Sequence, residues 1–413
     1  MTDDFGPSSR SADGATRLEN GAERRRAVQQ SREQQLRRRS HRRRVVLLAA
    51  LAAVVLVAGT AWYGLRELRA MRVPDYPGAG AAEVVVRVEQ GDPTSAIATR
   101  LVSKDVVASA RAFTRAAETV PRIRSVQPGY YQMRNRMSGA AAVTMLLDPA
   151  SRVGQLDIRA GTQLDDVRQP DATVTPGILS QLSRASCARI GSTRSCVSAE
   201  QLREAMRQSP PAELGVPTWA TEAVARVDPA RRLEGLIMPG RYDVRPGSSA
   251  ADLLTQVMAT STTRLQGAGM PDIAAPTGFA PYEVLTIASI IEKEAIASDF
   301  GTVSRVIYNR LAEGMPLQMD STINYPLDRQ QITTSDTDRA RAGPYNTYVT
   351  PGLTISPIGT PSTEAINAAV QPTPGLWIYF VKCQPDGTSC FALTFEEHQR
   401  NLAAAVANGA FGR

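Results

Sequence analysis

The histidine content of this 413-residue chain excludes most of the common acid–base, nucleophilic and metal sites. Only two histidines occur, His41 and His398, and His41 lies in a run of arginines. A catalytic triad or a multi-histidine zinc site could therefore draw only on His398. The chain has no GxxxxGK(S/T) loop and no GxGxxG motif after a strand, so nothing indicates nucleotide binding. The sequence therefore leaves two classes of protein: an enzyme that uses carboxylates, or a binding protein without catalytic activity.

The carboxylate best placed for chemistry is Glu292. The segment from Pro281 to Ile296 has helical periodicity, and the proline suits a first helical turn. At 100° per residue, Glu292 lies about 60° from the centre of the apolar stripe and Glu294 about 100° away. The stripe is formed by Val284, Ile287, Ala288, Ile291 and Ala295, and the opposite side by Tyr282, Thr286, Ser289 and Lys293.

This position predicts a carboxylate that can act as a general acid. Loss of solvation at an apolar edge raises the pKa of a carboxyl group, which then stays protonated near neutrality. Such a group can protonate a glycosidic oxygen. The pattern alone is weak, because Glu-Lys-Glu on a helix is more often a solvated surface. A non-catalytic binding protein therefore remains an alternative at this point.

Several spaced blocks carry a resemblance to a known family. The helix contains Ala288-Ser-Ile-Ile-Glu-Lys-Glu-Ala295, and it follows Leu233-Glu-Gly-Leu-Ile-Met-Pro-Gly-Arg-Tyr242. The later blocks are Val303-Ser-Arg-Val-Ile-Tyr-Asn-Arg-Leu311, Gly314-Met-Pro-Leu-Gln-Met-Asp320, Tyr345-Asn-Thr-Tyr348, Pro357-Ile-Gly-Thr-Pro361, Ala365-Ile-Asn-Ala-Ala-Val-Gln-Pro372 and Tyr379-Phe-Val381. Over roughly residues 233–402, this order resembles the YceG-like family, the MltG-type endolytic murein transglycosylases.

The resemblance implies an activity and a set of site residues. It implies cleavage of MurNAc–GlcNAc β-1,4 bonds in nascent peptidoglycan strands, which ends strand elongation and leaves 1,6-anhydroMurNAc, without metal or cofactor. The family's catalytic glutamate maps to Glu292. The matching blocks imply that other side chains orient the sugar or the glutamate: Gln318, Asp320, Tyr345 and Asn346. The alternatives are a hydrolase in which Asp320 activates water, and a glycan-binding scaffold of the wall-synthesis machinery.

Some residues in these blocks depart from the family pattern or have a simpler structural reading. Met238 and Gly240-Arg241 replace the usual aromatic and acidic residues, and Ser321 stands where proline is common. Thr360 and Pro361 are most simply a helix N-cap followed by a first-turn proline.

The cysteines form two local pairs, Cys187 with Cys196 and Cys383 with Cys390. Outside the membrane, two close pairs predict two disulfides. The second pair encloses a Pro-Asp-Gly turn between two β-rich runs, which predicts a hairpin. Neither pair has the CxxC spacing of a metal site.

The N-terminal region predicts a membrane anchor, with a cleaved signal peptide as the alternative. Residues 1–44 contain twelve arginines and six acidic residues, so they carry +6 of the chain's net charge of +7. Residues 45–63 contain no charge, which is enough for a transmembrane helix over 45–65. The positive-inside rule places the N-terminus in the cytoplasm and the rest outside the cell membrane. No aromatic residue interrupts the arginine run, which argues against nucleic-acid binding.

The remaining chain predicts an α+β fold. A disordered tail over 1–44, the helix over 45–65 and a linker over 66–82 precede a β-α-α-β unit over 83–150. That unit loosely resembles a LysM domain. A second small α+β segment over 151–230 carries the first cysteine pair, and residues 231–413 form the YceG-like catalytic domain. Implied partners are glycan strands, the cytoplasmic membrane, penicillin-binding synthases and the division or elongation machinery.

Overall fold

The computed structural model describes residues 46, 48–64, 73–327, 331 and 334–411. The chain divides into two compact units, Met1–Val73 and Pro74–Arg413. In the first unit, residues 48–64 are helical with almost every side chain exposed. Among the described residues, no helix combines the length and apolar character needed to cross a membrane. The predicted tail over 1–44, both ends of the predicted 45–65 helix and residues 66–72 of the 66–82 linker lie outside the described residues.

The second unit begins with a small α+β region that has its own core. Strands β1 (Glu83–Val88) and β2 (Gly129–Arg134) pair antiparallel, with helices α1 (Thr94–Ser103) and α2 (Ala110–Glu118) between them. The predicted β-α-α-β order is therefore present. Helix α3 (Gly139–Leu147) and strand β3 (Arg152–Val153) extend it, because β3 adds to the free edge of β2. The core of this region includes Val86, Leu101, Phe113, Tyr131 and Met133.

A second, larger core spans residues 156–369. It includes Leu182 and Leu202 from one side of residue 230, and Leu253 and Ile287 from the other. Strand β4 (Gln155–Ile158) also crosses this division by pairing antiparallel with β9 (Gly240–Asp243). The sequence segments 151–230 and 231–413 are therefore folded around one shared core.

The elements between β4 and β9 are short. They comprise the paired strands β5 (Val167–Arg168) and β6 (Val174–Thr175), helix α4 (Ile178–Ala185), the paired strands β7 (Ala188–Ile190) and β8 (Thr193–Ser195), and helices α5 (Ala199–Gln208) and α6 (Thr221–Val224). The Cys187–Cys196 disulfide encloses the β7–β8 hairpin, as predicted.

Helices dominate the rest of the unit. They are α7 (Ala250–Gly267), α8 (Pro281–Glu294), α9 (Phe300–Ala312), α10 (Asp320–Asn324), α11 (Asp336–Ala340), α12 (Thr363–Val370) and α13 (Phe395–Asn408). The predicted hairpin is present as β10 (Tyr379–Lys382) and β11 (Ser389–Ala392), and the Cys383–Cys390 disulfide closes it. These elements confirm a mixed α+β fold.

From Val284 to Ile291, helix α8 is buried on all sides, which corrects the amphipathic helix expected from its sequence. Tyr282, Thr286 and Ser289, expected on a polar side, are at most 4% exposed. The hydroxyl groups of Thr286 and Ser289 donate hydrogen bonds to backbone carbonyls of the same helix. Thr286 Oγ1 donates to Tyr282 O at 2.9 Å, and Ser289 Oγ donates to Thr286 O at 2.7 Å. Hydroxyl groups bonded in this way can face a packed interior, so their presence does not require water on that side.

Candidate active site

The last turn of α8 brings three charged residues together at one place: Glu292, Lys293 and Glu294. The carboxyl end of a helix carries partial negative charge, so two glutamates there are locally unfavourable. Neighbouring side chains on a helix diverge by about 100°, so these three meet different surroundings. Such conflicts between local preference and sequence tend to mark functional sites.

Glu292 is half-buried and held by a single residue, Ser362. Its Oε2 accepts hydrogen bonds from the backbone N–H of Ser362 at 2.9 Å and from Ser362 Oγ at 2.5 Å. Among the described residues, no hydrogen bond engages the other oxygen, Oε1. One oxygen is therefore fixed by the protein, and the other is left for a substrate.

Ser362 is also the N-cap of α12, because Ala365 N donates to its Oγ at 3.1 Å. The sequence-based assignment of Thr360 and Pro361 as cap and first-turn residue was wrong. The helix begins two residues later, at Thr363. Thr360 instead pairs through its backbone with the 161–162 turn, with Thr360 N donating to Thr162 O at 2.8 Å and Gly161 N donating to Thr360 O at 2.7 Å.

The loop before Ser362 is also anchored to α8 and to the 233–242 segment. Ile358 N donates to Ser289 Oγ at 3.0 Å. At Gly235, with φ +71°, a Cβ would lie 2.2 Å from Pro357 Cβ, which no side chain could tolerate. The glycine of the Glu-Gly pair is thus required where the two segments cross.

Lys293 and Glu234 face each other beside Glu292. Lys293 Nζ donates to Gly161 O at 3.1 Å. Burial lowers the pKa of Lys293, while the nearby carboxylates, Glu234 foremost, oppose this effect. Glu234 is only 1% exposed, and burial raises its pKa to about 7. Its Oε2 accepts from Leu164 N at 3.1 Å and from Tyr325 OH at 2.9 Å.

Glu294 points toward the 318–321 segment. Its Oε1 accepts from the backbone N–H of Ser321 at 3.1 Å. Proline, common in the family at this position, has no N–H to donate. The departure at Ser321 therefore has a structural consequence, because in this chain the backbone of residue 321 binds the second glutamate of the Glu-Lys-Glu motif.

Asp320 lies beside this contact and is engaged by three side chains. Its Oδ1 accepts from Thr334 Oγ1 and from Tyr348 OH, both at 2.6 Å, and its Oδ2 is 3.7 Å from Arg339 Nη2. Burial, aided by the hydrogen bond to Asp320, raises the pKa of Tyr348. The predicted role of Asp320 in orienting the sugar is neither supported nor contradicted by these contacts.

Two more of the predicted orienting residues have mainly structural contacts. Gln318 has φ +56°, and its Oε1 accepts from Arg310 Nη1 at 3.1 Å. Asn346 is 5% exposed, and its side-chain amide bonds only to backbone groups. Its Nδ2 donates to the carbonyls of residues 338, 339 and 341, and its Oδ1 accepts from the N–H groups of residues 348 and 349.

Tyr345, the fourth predicted orienting residue, lies on the Glu234 side of the site. It is 8% exposed, its hydroxyl is 2.8 Å from Ser356 Oγ, and its ring centroid is 4.7 Å from that of Tyr325. Of the four predicted orienting residues, Asp320 precedes the backbone N–H that binds Glu294, and Tyr345 interacts electrostatically with Glu234.

Sequence reasoning missed four residues of this site: Ser362, Glu234, Tyr348 and Arg310. Each lies in, or directly after, one of the sequence blocks that resemble the family. Their position in these blocks was the sequence feature that could have identified them as site residues. Arg310 is 6% exposed and donates to Ile378 O at 2.6 Å, Leu317 O at 2.9 Å and Pro316 O at 3.1 Å. It ties the segment leading to Asp320 to the residue immediately before β10 of the disulfide hairpin.

A larger cleft lies elsewhere in the same unit. A cavity of about 480 Å³ lies at the opposite, N-terminal end of α8, lined among others by Trp219, Phe279 and Tyr282. Within the described parts of the chain, no group of three or more His, Cys, Asp or Glu residues is arranged to hold a metal ion. The chemistry available at the end of α8 is proton transfer by a carboxylate.

Several known proteins are similar to this chain in sequence. Two Streptococcus pneumoniae proteins, each named endolytic murein transglycosylase, are 32% identical over 181 residues, which is 42% of this chain. The chain spans only about a third of their length, 32%. A Bacillus subtilis protein of the same name is 26% identical over 320 residues, covering 77% of this chain and 83% of that protein.

The fold is also that of a solved structure. A crystal structure of a yceG-like protein from Listeria monocytogenes superposes with a TM-score of 0.50 at 24% identity, covering 78% of this chain and 99% of that one. The model of the YceG-like family matches residues 86–404, which include both cores and the whole of α8. This chain belongs to the YceG-like family.

Proposed function

We propose that this chain is an endolytic peptidoglycan lytic transglycosylase. It would cleave the β-1,4 bond between MurNAc and GlcNAc within glycan strands and leave a 1,6-anhydroMurNAc end. The observation that carries the proposal is the half-buried Glu292, held by Ser362 through Oε2 with no protein donor at Oε1 among the described residues. The names of the Streptococcus and Bacillus relatives support the same activity.

The reaction needs one carboxyl group that acts twice. Protonated Glu292 gives its proton to the GlcNAc O4 as the bond from MurNAc C1 to that oxygen breaks. The MurNAc C6 hydroxyl attacks C1 and forms the C1–O6 bond, while its proton returns to Glu292. No water is consumed, and the carboxyl group ends in its starting state. Ser362, bound to Oε2, keeps Oε1 aimed at both oxygens in turn.

A digest of un-crosslinked glycan strands with the purified full-length chain tests this activity. Mass spectrometry should find anhydro ends, and Glu292→Gln should abolish them while leaving the unfolding midpoint unchanged. Glu283→Gln, an exposed glutamate at the other end of the same helix, is the matched control and should retain activity. Reducing ends would instead indicate a hydrolase. An absence of product from folded protein would indicate a glycan-binding scaffold.

The cellular setting is part of the same proposal. We infer a single-pass protein of the cell membrane, with the arginine-rich N-terminus in the cytoplasm and the YceG-like region outside. There it would act on nascent strands and end their elongation beside penicillin-binding synthases and the division or elongation machinery. The uncharged run over 45–63 and the two disulfides support this location. The β-α-α-β region over 83–150 would be a LysM-like module.

A further inference from the structure

A small polar cavity beside the candidate active site contains two buried polar atoms that lack hydrogen-bond partners. The cavity has a volume of about 130 Å³ and is lined among others by Gln163, Glu234, Arg231 and Tyr325. Glu234 is 1% exposed and Gln163 5% exposed. Within the described chain, Glu234 Oε1 and Gln163 Nε2 have no hydrogen-bond partner.

Buried polar groups are nearly always hydrogen-bonded, so two such atoms on residues that line one cavity indicate a missing ligand or water. The two atoms have complementary chemistry, because the carboxylate oxygen accepts a hydrogen bond and the amide nitrogen donates one. A single water needs only roughly 10–15 Å³ of such space, and this cavity is about ten times larger.

The cavity adjoins a second cavity that reaches the last turn of α8. Gln163 and Asp165 also line a neighbouring cavity of about 60 Å³ together with Lys293, the residue next to Glu292. The electrostatic coupling of Glu234 to Lys293 agrees with this proximity. The cavity therefore lies close to the helix turn that carries Glu292.

We propose that the cavity lined by Gln163 and Glu234 binds the acetamido group of an N-acetylhexosamine in the glycan strand. The acetamido N–H donates to Glu234 Oε1, and its carbonyl oxygen accepts from Gln163 Nε2. A secondary amide presents one donor and one acceptor next to each other, which matches the two unpartnered atoms. This inference rests on the proposed function, since it assigns part of the same substrate to a subsite.

The test measures binding without cleavage, in full-length protein carrying Glu292→Gln at pH 8, where Glu234 is ionised. The probes are chitotetraose, whose sugars carry acetamido groups, cellotetraose, which has hydroxyl groups there, and the tetramer of glucosamine, which has ammonium groups. Chitotetraose should bind at least tenfold more tightly than either of the others, as expected for two lost hydrogen bonds.

Variants then locate the site. Gln163→Leu removes the donor, and Glu234→Gln replaces the free acceptor with a donor while keeping an oxygen for Leu164 and Tyr325. Each should weaken chitotetraose binding about tenfold. Gln208→Leu, an exposed glutamine on α5, is the matched control and should leave it unchanged. If Gln163→Leu fails to fold, Gln163→Asn, which shortens the donor, replaces it.

Equal binding of cellotetraose or the glucosamine tetramer, no binding of chitotetraose, or binding unaffected by the variants would overturn the acetamido site. The cleavage assay with the wild-type chain is read separately. If anhydro ends form but binding shows no preference for acetamido groups, the proposed function stands and only this subsite is ruled out. If chitotetraose binds as expected but no anhydro ends form, the subsite stands and the proposed cleavage activity is ruled out.

Discussion

At the residue scale, Glu292 and Glu294 lie two positions apart and meet different partners. Glu292 accepts two hydrogen bonds from Ser362, whereas Glu294 accepts one from the backbone of Ser321. Ser362 has two tasks, since the same hydroxyl that holds Glu292 also caps α12. A substitution at this residue therefore affects both catalysis and stability, and the two effects can be separated with a second serine.

Ser362→Ala should reduce the rate of glycan cleavage at least tenfold, because the hydroxyl hydrogen bond that fixes the orientation of Glu292 is lost. It should also lower the free energy of unfolding by about 1 kcal/mol through loss of the cap. Ser198→Ala removes the comparable cap of α5, where Gln201 N donates to Ser198 Oγ at 3.1 Å. That control should lose similar stability and keep full activity. Equal activity of the two variants would contradict a role for Ser362 beyond capping.

Glu234 should make the stability of the protein depend on pH. Its pKa is about 7 in the folded chain against 4.5 for an ordinary glutamate. Between these values the folded state holds a proton that the unfolded state has lost. The free energy of unfolding therefore falls as the pH rises from about 4.5 to 7. A difference of this size corresponds to on the order of 3 kcal/mol.

Glu234→Gln removes this titration. Chemical denaturation measures the free energy of unfolding of both proteins. Between pH 4.5 and pH 8, the wild type should lose on the order of 3 kcal/mol of stability relative to the variant. Titration of all other groups is common to both proteins and cancels. A difference that stays constant across this pH range would show that Glu234 is ionised throughout.

At the element scale, helix α8 shows what sequence reasoning could and could not provide. Its start at Pro281, its extent and the position of Glu292 near its end follow from periodicity and proline chemistry. The burial of Thr286 and Ser289 does not, because self-satisfied hydroxyls look the same in sequence as solvated ones. Ser362 was missed for a related reason. Thr360-Pro361 has the sequence pattern of a helix start, but the backbone of Thr360 pairs with residues 161–162, so the helix begins later and Ser362 becomes its cap.

The disulfide hairpin β10–β11 is anchored to two segments near the site. Ser389 N donates to the buried Asp299 Oδ2 at 2.7 Å, just after the end of α8. Arg310 donates to Ile378 O, immediately before β10, and to Leu317 O, three residues before Asp320. The hairpin therefore supports both the residues after Glu294 and the 316–320 segment.

Replacing Cys383 and Cys390 together by serine should lower the free energy of unfolding by about 2 kcal/mol, as expected for a short closed loop. The Cys187–Cys196 pair encloses a similar loop and is the matched control, with a similar loss. Only the Cys383/Cys390 variant should also reduce cleavage of glycan strands. Equal activities of the two double variants, measured well below their unfolding temperatures, would show that the hairpin contributes stability alone.

At the scale of the whole molecule, the two cores of the second unit divide the chain differently from its sequence blocks. Composition and motif spacing suggested a boundary near residue 230, but β4–β9 pairing and the shared core join both sides. Short strands such as β4 carry little sequence signal, so their pairing partners 80 residues away could not be predicted. The family match over residues 86–404 spans both cores.

The membrane topology is the last prediction and concerns the complete chain. Alkaline phosphatase, which folds only outside the cytoplasm, should be active when fused after Arg413, whereas a cytoplasmic fluorescent reporter at that position should be dark. The physical reason is the arginine cluster before the uncharged run over 45–63. By the positive-inside rule, this cluster keeps the N-terminal side of the helix in the cytoplasm. Changing Arg37, Arg38, Arg39, Arg42, Arg43 and Arg44 to serine should lower the exported fraction. A fluorescent C-terminal fusion in the wild-type chain would place the YceG-like region in the cytoplasm, away from any glycan strand, and would rule out the proposed cellular setting.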